Sequence, residues 1–308
     1  MTILKKNIAT PKVTREILRK YNINLKKRMG QNLLIDQNIL NKIVESASLT
    51  EEDTVIEIGS GIGSLTQKIL NQVKTGKVIG IEKDNKFIKV LEDLFSDKKN
   101  LELINKDIRD IDWQQFFKKR DLFQNNIKVM GNLPYYITTP IIMGLLENNF
   151  TFSKLIFMVQ KEVAERMVAS PGNKDFGALS VGVQYNSEAE IVYNVSPDVF
   201  IPQPGVYSSI VVLTPFVESP YEVENEEFFF KVVKSIFQLR RKNIKNSLVK
   251  GSVLNISKEI VLKGLKQSNI DKKVRGENLS INEMVHFSNI LYNLLKERSG
   301  NSEIYQSN

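Results

Sequence analysis

Four residues of unlike chemistry stand in a row at Asn132-Leu133-Pro134-Tyr135. Asn offers a side-chain carbonyl, Pro a backbone carbonyl with no N–H beside it, and Tyr a flat ring. Two acceptors and a stacking face suit a planar base that carries an –NH₂ group. The same residue types populate turns, so the row taken alone also reads as a loop. Its setting adds to the chemical reading. The run Ile127-Lys128-Val129-Met130-Gly131 before it reads as a buried strand, and Thr138-Thr139-Pro140 after it reads as a helix start. The row then sits at the carboxyl end of a strand, where open α/β sheets bind ligands.

The elements upstream repeat that geometry. Thr54–Ile58 reads as a strand, Gly59-Ser60-Gly61-Ile62-Gly63 as a glycine loop, and 64–73 as a helix. Strand, glycine loop and helix open a nucleotide-binding α/β unit, and Gly59 and Gly61 let the backbone approach a ligand closely. The next strand, 77–81, ends in Glu82, an acid placed to accept from both hydroxyls of a ribose. A third, 101–104, is followed by Asp107, placed to accept from an adenine amine. A dinucleotide fold calls for a further glycine at position 64, which is Ser. The loop, with Glu57 on the strand before it, fits a ligand without a pyrophosphate, such as S-adenosylmethionine.

Composition narrows the chemistry. The 308 residues include no Cys and one His, His286, far from this row. Thiolate nucleophiles, disulfides and His- or Cys-based metal sites are therefore not expected, and no metal is. The reaction must run on carboxylates, amides, hydroxyls, aromatics and backbone. A net charge of +8 favours polyanionic partners, nucleic acid first, although a Lys-rich background gives the same balance. No apolar run is long enough to span a membrane, and residues 1–12 lack the apolar core of a signal peptide. The expectation is a soluble cytoplasmic protein with no membrane partner, and a monomer.

Several segments frame this centre. Lys26, Lys27 and Arg28 form a basic cluster, followed by Gly30-Gln31-Asn32-Leu33-Leu34 and a helix capped by Asp36. Late strands at 188–195 and 209–213, with no full helix between them, suggest an antiparallel pair closing the sheet. The loop Phe200-Ile201-Pro202-Gln203-Pro204 offers Phe200 either as a stacking ring or as core. Ser219-Pro220 marks a boundary, beyond which the pattern is helical. Arg240, Arg241, Lys242 and Lys245 lie on a basic helix and turn, which can follow phosphates or be a solvated face. The expected domains are 1–218, with an N-terminal arm over 1–30, and 219–308, with a polar, unstructured tail from 299.

Together these motifs resemble the KsgA family of small-subunit rRNA adenine dimethyltransferases. The likeness runs from Gly30-Gln31-Asn32 through the glycine loop, Asn132-Leu133-Pro134-Tyr135 and Phe200-Ile201-Pro202-Gln203-Pro204. It continues into Arg240-Arg241-Lys242, Asn246-Ser247-Leu248 and Arg275-Gly276-Glu277-Asn278-Leu279. The resemblance implies an α/β fold: a Rossmann-like S-adenosylmethionine-dependent methyltransferase sheet with a C-terminal all-helical domain. It places the donor site on Asn32, Leu34, Gly59, Glu82, Asp107 and Asn132. Leu33, Ser60 and Tyr207 depart from the usual Phe, Pro and Asp.

The activity implied is transfer of two methyl groups to each of two adjacent adenosines in the 3′-terminal hairpin loop of 16S rRNA, within an immature small subunit. Asn132 and the Pro134 carbonyl would hold the amine, with Tyr135 and Phe200 on the two faces of the base. Three other readings compete. A 23S rRNA dimethyltransferase of the antibiotic-resistance type shares the donor loop and acceptor row. A nicotinamide-dependent oxidoreductase is opposed by Ser64 and by the lack of a nearby His. A non-catalytic assembly factor would leave the acceptor row without a task.

Overall fold

The computed structural model describes residues 6–25, 30–122, 126–147, 152–239 and 241–304, with side chains described up to residue 298. By its internal contacts the chain divides into two units, Met1–Ala164 with Ser187–Val217, and Glu165–Asn186 with Glu218–Asn308.

The first unit is built on a seven-stranded sheet. Its strands are β2 (Thr54–Ile58), β3 (Lys77–Glu82), β4 (Leu101–Asn105), β5 (Ile127–Asn132), β6 (Phe152–Gln160), β7 (Ser187–Val195) and β9 (Ser208–Pro215). The order across the sheet is β4-β3-β2-β5-β6-β9-β7. The five strands from β4 to β6 are parallel, and β9 and β7 run antiparallel at the far edge, the pairing their short spacing predicts. A separate two-stranded pair joins β1 (Leu33–Leu34) to β8 (Phe200–Ile201). The helices of this part are α1 (Pro11–Lys20), α2 (Gln37–Ala47), α3 (Ser64–Gln72), α4 (Asn85–Leu94), α5 (Trp113–Arg120) and α6 (Thr138–Leu146), and α7 (Lys161–Val168) begins in it and ends in the second unit.

Sequence chemistry accounts for these elements. All five residues of β2 are buried, as a central parallel strand covered on both faces requires. Asp36 caps α2 by accepting from the Asn38 and Ile39 N–H groups, and Asp84 caps α4 through Lys86 N–H. Helix α5 has no counterpart in the sequence reading. Its signals are the Asp112 cap and the aromatic set Trp113, Phe116 and Phe117, the latter two buried. Because β3 and β5 flank β2, chain order reverses at β2, and a crevice opens beyond the carboxyl ends of these strands.

The second unit is helical: α8 (Ala178–Asn186), α9 (Glu226–Gln238), α10 (Ile244–Lys250), α11 (Lys258–Gln267) and α12 (Ile281–Ile304). Its core includes Phe176, Tyr185, Phe229, Ile236, Phe287 and Leu291. The sequence places its start after residue 218, whereas the contacts add residues 165–186 to it. The physical reason is burial of Phe176, Val181 and Tyr185 among the C-terminal helices. Helix α12 continues to Ile304, into the stretch from residue 299 that the sequence leaves as a polar tail. Residues 305–308 lie outside the described residues.

Candidate active site

A cleft of about 1080 Å³, its open mouth included, lies at the carboxyl ends of β2, β3, β4 and β5. The glycine loop forms its floor. Gly59, Gly61 and Gly63 have φ of +75°, +54° and +90°, a region that side chains with a Cβ rarely enter. At Gly131 a Cβ would stand 2.5 Å from the Ile58 carbonyl oxygen. Its absence lets the end of β5 close on the end of β2, so Asn132 abuts the loop.

Two buried acids flank the loop. Glu82 accepts from Gly61 N–H and from Asp84 N–H, each at 2.9 Å. Burial pushes its carboxyl up, against the pull of those hydrogen bonds. Glu57, 1% exposed, accepts from Thr66 Oγ1 at 2.6 Å. Burial pushes it up to about 7, with Thr66 opposing and the charge of Glu82 adding to the rise. Both acids line the cleft.

Asp107 also lines the cleft, and its carboxylate is clamped. Arg109 reaches it three times: N and Nε to Oδ1 at 3.1 and 3.0 Å, and Nη2 to Oδ2 at 2.7 Å. Lys83 Nζ adds a contact to Oδ2 at 3.2 Å. Arg109 above all holds this carboxyl far below the usual carboxylate range. To accept from an adenine amine, Asp107 must release one of these donors.

The Asn132 amide is oriented by a residue a hundred positions earlier. Its Nδ2 donates to the Asn32 carbonyl at 2.8 Å. A carbonyl only accepts, so the nitrogen must face it, and Oδ1 remains the acceptor end. The Pro134 carbonyl differs from the sequence expectation. It accepts from Ile137 N–H and from Thr138 Oγ1, each at 3.1 Å, which occupies both lone pairs. As acceptor for a substrate amine, Pro134 is therefore corrected. The preceding carbonyl, Leu133, receives no hydrogen bond from any described residue, while its N–H is held by Met158 O at 3.1 Å. Sequence reasoning missed Leu133, although its place between Asn132 and Pro134 was the available signal.

Tyr135 faces a second, adjoining cleft of about 760 Å³, its mouth included, lined also by Gln160, Gln203, Pro204 and Val206. Its hydroxyl lies 2.7 Å from Ser208 Oγ. Gly30, Asn32 and Tyr136 line both clefts, so they stand at the passage between them. Phe200 is a correction too. It is 3% exposed, paired with Leu34 across the β1–β8 ladder and packed in the core of the first unit. Its ring is core, not a second stacking face.

The structure thus brings Asn32, Leu34, Gly59, Gly61, Glu82, Asp107, Asn132 and Pro134 into one cleft. Lys26, Lys27, Arg28 and Arg240 lie outside the described residues. Arg241 and Lys242 are exposed between α9 and α10, and Lys245 is half-buried on α10. Among the described residues no group of His, Cys, Asp and Glu is placed to hold a metal ion, and no helix is long and apolar enough to cross a membrane.

The cleft suits an adenosine bearing an amino-acid tail. It combines a glycine-walled floor, the acids Glu57 and Glu82, and apolar walls from Leu34, Ile81 and Ile108. Ser64 Oγ, on its lining, is buried without a hydrogen-bond partner among the described residues, a vacancy that a polar ligand group can fill. Fold and site together define a Rossmann-like methyltransferase of the S-adenosylmethionine-dependent type. The sequence matches the family described as Ribosomal RNA adenine dimethylase over residues 22–293, and the chain belongs to that family.

Curated relatives agree in length and order. A protein of Halothermothrix orenii named Ribosomal RNA small subunit methyltransferase A is 54% identical over 303 residues, 98% of this chain and 100% of the relative. One of Geobacillus sp. with the same name is 44% identical over 95% of this chain and 100% of its own. Among solved structures, a dimethyladenosine transferase from Plasmodium falciparum superposes with a TM-score of 0.69 at 28% identity, over 83% of this chain and 95% of that one. The 23S rRNA methyltransferase ErmE shares the fold, with a TM-score of 0.63 at 23% identity over 85% of this chain and 100% of its own.

Proposed function

We propose that this chain dimethylates the exocyclic amines of two adjacent adenosines in the 3′-terminal hairpin loop of 16S rRNA. It does so as a cytoplasmic monomer acting on an immature small subunit during ribosome biogenesis. The observation that carries the reading is the Asn132 amide, turned by Asn32 so that its oxygen is the free end in the cleft that also holds Glu57 and Glu82. The names and near-complete overlap of the relatives support the small-subunit target.

S-adenosylmethionine, when bound, supplies an electrophilic methyl group on a sulfonium. Glu82 is placed for the ribose, Asp107 for the adenine edge, and the glycine loop with Asn32 and Leu34 for the remainder. Asn132 Oδ1 accepts one N–H of the target amine, and the Leu133 carbonyl is the available second acceptor. Two such bonds draw the amine's lone pair out of conjugation and fix its direction, so much of the rate comes from positioning. The Tyr135 ring stacks on the base, worth about 1–3 kcal/mol. The target base must leave its own stack to enter, which favours an unpaired or flipped nucleotide. No strong base is required, because the methylated amine is acidic and releases its proton to water.

Asn132→Ala is expected to lower transfer at least a hundredfold while S-adenosylhomocysteine binding stays within a few-fold. Mass spectrometry of the rRNA product reports target, position and methyl count together. Unchanged turnover in the variant would remove Asn132 from the chemistry. Activity on protein-free 23S rRNA but not on small-subunit particles would replace the target with that of the antibiotic-resistance type.

A further inference from the structure

The first helix carries charge that no described residue neutralises. Over α1, Lys12, Arg15, Arg19 and Lys20 stand against one acid, Glu16. Lys6, from outside the helix, takes Glu16 at 3.3 Å. Lys20 rests on Tyr21, its Nζ 3.1 Å from the hydroxyl. Lys12, Arg15 and Arg19 are exposed, and no described residue bonds or pairs with their side chains. Their spacing of three and four places them on one face, opposite the buried Val13, Thr14 and Ile17.

Helix stability accounts for only part of this stripe, since Arg19 in the last turn suits the negative end of the helix dipole. A helix N-terminus favours negative charge, yet the first turn of α1 holds Lys12 and no acid. Thr10 supplies the cap and the buried face supplies the packing, so Lys12 and Arg15 are surplus to folding. At about 1.5 Å of rise per residue the three levels lie about 4.5 and 6 Å apart along the axis. Long side chains at that pitch can reach successive phosphates of one strand.

The end of α1 is also tied to an element that lines the cleft. Asn22 O, just past α1, accepts from Lys86 Nζ on α4 at 2.9 Å, and the Tyr21 hydroxyl donates to Asp93 of α4 at 2.9 Å. The N-cap of α4, Asp84, lines the cleft and accepts from Gln31 at 3.1 Å. We propose that this face of α1 is a phosphate track that receives the RNA backbone beside the base being methylated. The track rests on the reading of an RNA substrate given above. Three aligned cations with no apolar residue among them offer charge contact without apolar burial, which suits a nucleic-acid backbone better than an acidic protein.

The test compares the full-length protein with a triple variant, Lys12→Gln, Arg15→Gln and Arg19→Gln, and with Arg15→Gln alone. KM for methyl transfer is measured between 50 and 200 mM KCl on immature small-subunit particles and on protein-free 23S rRNA. Binding to protein-free 16S rRNA is measured over the same range. The slope of log affinity against log salt should fall by about 2 in the triple variant and by about 0.7 in the single one. Affinity for S-adenosylhomocysteine, by calorimetry, should match the wild type and report an intact fold. Wild-type slopes in the triple variant, on whichever RNA the wild type methylates, would overturn the track. Wild-type methylation of 23S rRNA alone would instead overturn the target, with the slope on that RNA still deciding the track. Weakened binding to particles with unchanged affinity for free 16S rRNA would assign the face to a ribosomal protein and also overturn it.

Discussion

Replacing Glu57 with Gln should stabilise the ligand-free protein, and by an amount that depends on pH. Glu57 lies in β2 with 1% of its surface exposed, and burial raises its carboxyl from 4.5 to about 7. The folded state then holds a proton that the unfolded state has lost between those two values. Stability therefore falls as pH rises through that window and levels off above about 7. At about 1.4 kcal/mol per pH unit the full loss approaches about 3 kcal/mol. Glu57→Gln keeps the shape and an oxygen for the Thr66 hydroxyl while removing the ionisation. Urea denaturation of both proteins between pH 5 and 9 should show the variant gaining on the wild type up to about pH 7.5, with the difference constant beyond. Glu82, also raised by burial, contributes a similar trend to both proteins, so its coupling to Glu57 is what it leaves in the difference. A difference that does not change with pH would refute a buried carboxyl titrating in this window. The same linkage predicts that a cationic donor binds more tightly as pH rises past 7, with proton release on binding.

Other perturbations test other contacts. Arg109→Ala frees both Asp107 oxygens from the guanidinium, so calorimetry should show S-adenosylhomocysteine binding tighter by roughly two- to tenfold; weaker binding would mean that Arg109 helps to hold the ligand. Tyr135→Phe loses only the contact to Ser208 and should cost about 1 kcal/mol of stability with transfer largely kept. Tyr135→Ala also loses the ring, and kcat/KM should drop by roughly five- to 150-fold; equal kinetics for the two variants would exclude stacking. Lys128 and Asp53 form a buried ion pair at 2.6 Å, 7% and 4% exposed. Lys128→Ala leaves the carboxylate stranded and should cost about 3–5 kcal/mol in urea denaturation; a loss below 1 kcal/mol would mean that water or a proton neutralises Asp53.

The alternation of strands and helices, the glycine loop and the acids at successive strand ends were legible in the chain because each is a local pattern. Two-residue periodicity, a cap or a run of glycines acts through neighbours in sequence, and residues at the ends of parallel strands converge once the sheet forms. Asn132, Glu82 and Gly59 reached one cleft for that reason. Helix α5 was missed because its aromatic cluster is short and its packing partner, Phe152, lies in β6. What tertiary structure alone decided were contacts between distant segments. Phe200 became core because β8 pairs with β1, more than 160 residues earlier. Residues 165–186 joined the C-terminal helices through the burial of Phe176 and Tyr185. The Asn132 amide took its direction from Asn32. No local pattern encodes such choices, because each depends on which buried surface or unsatisfied carbonyl the folded chain brings alongside.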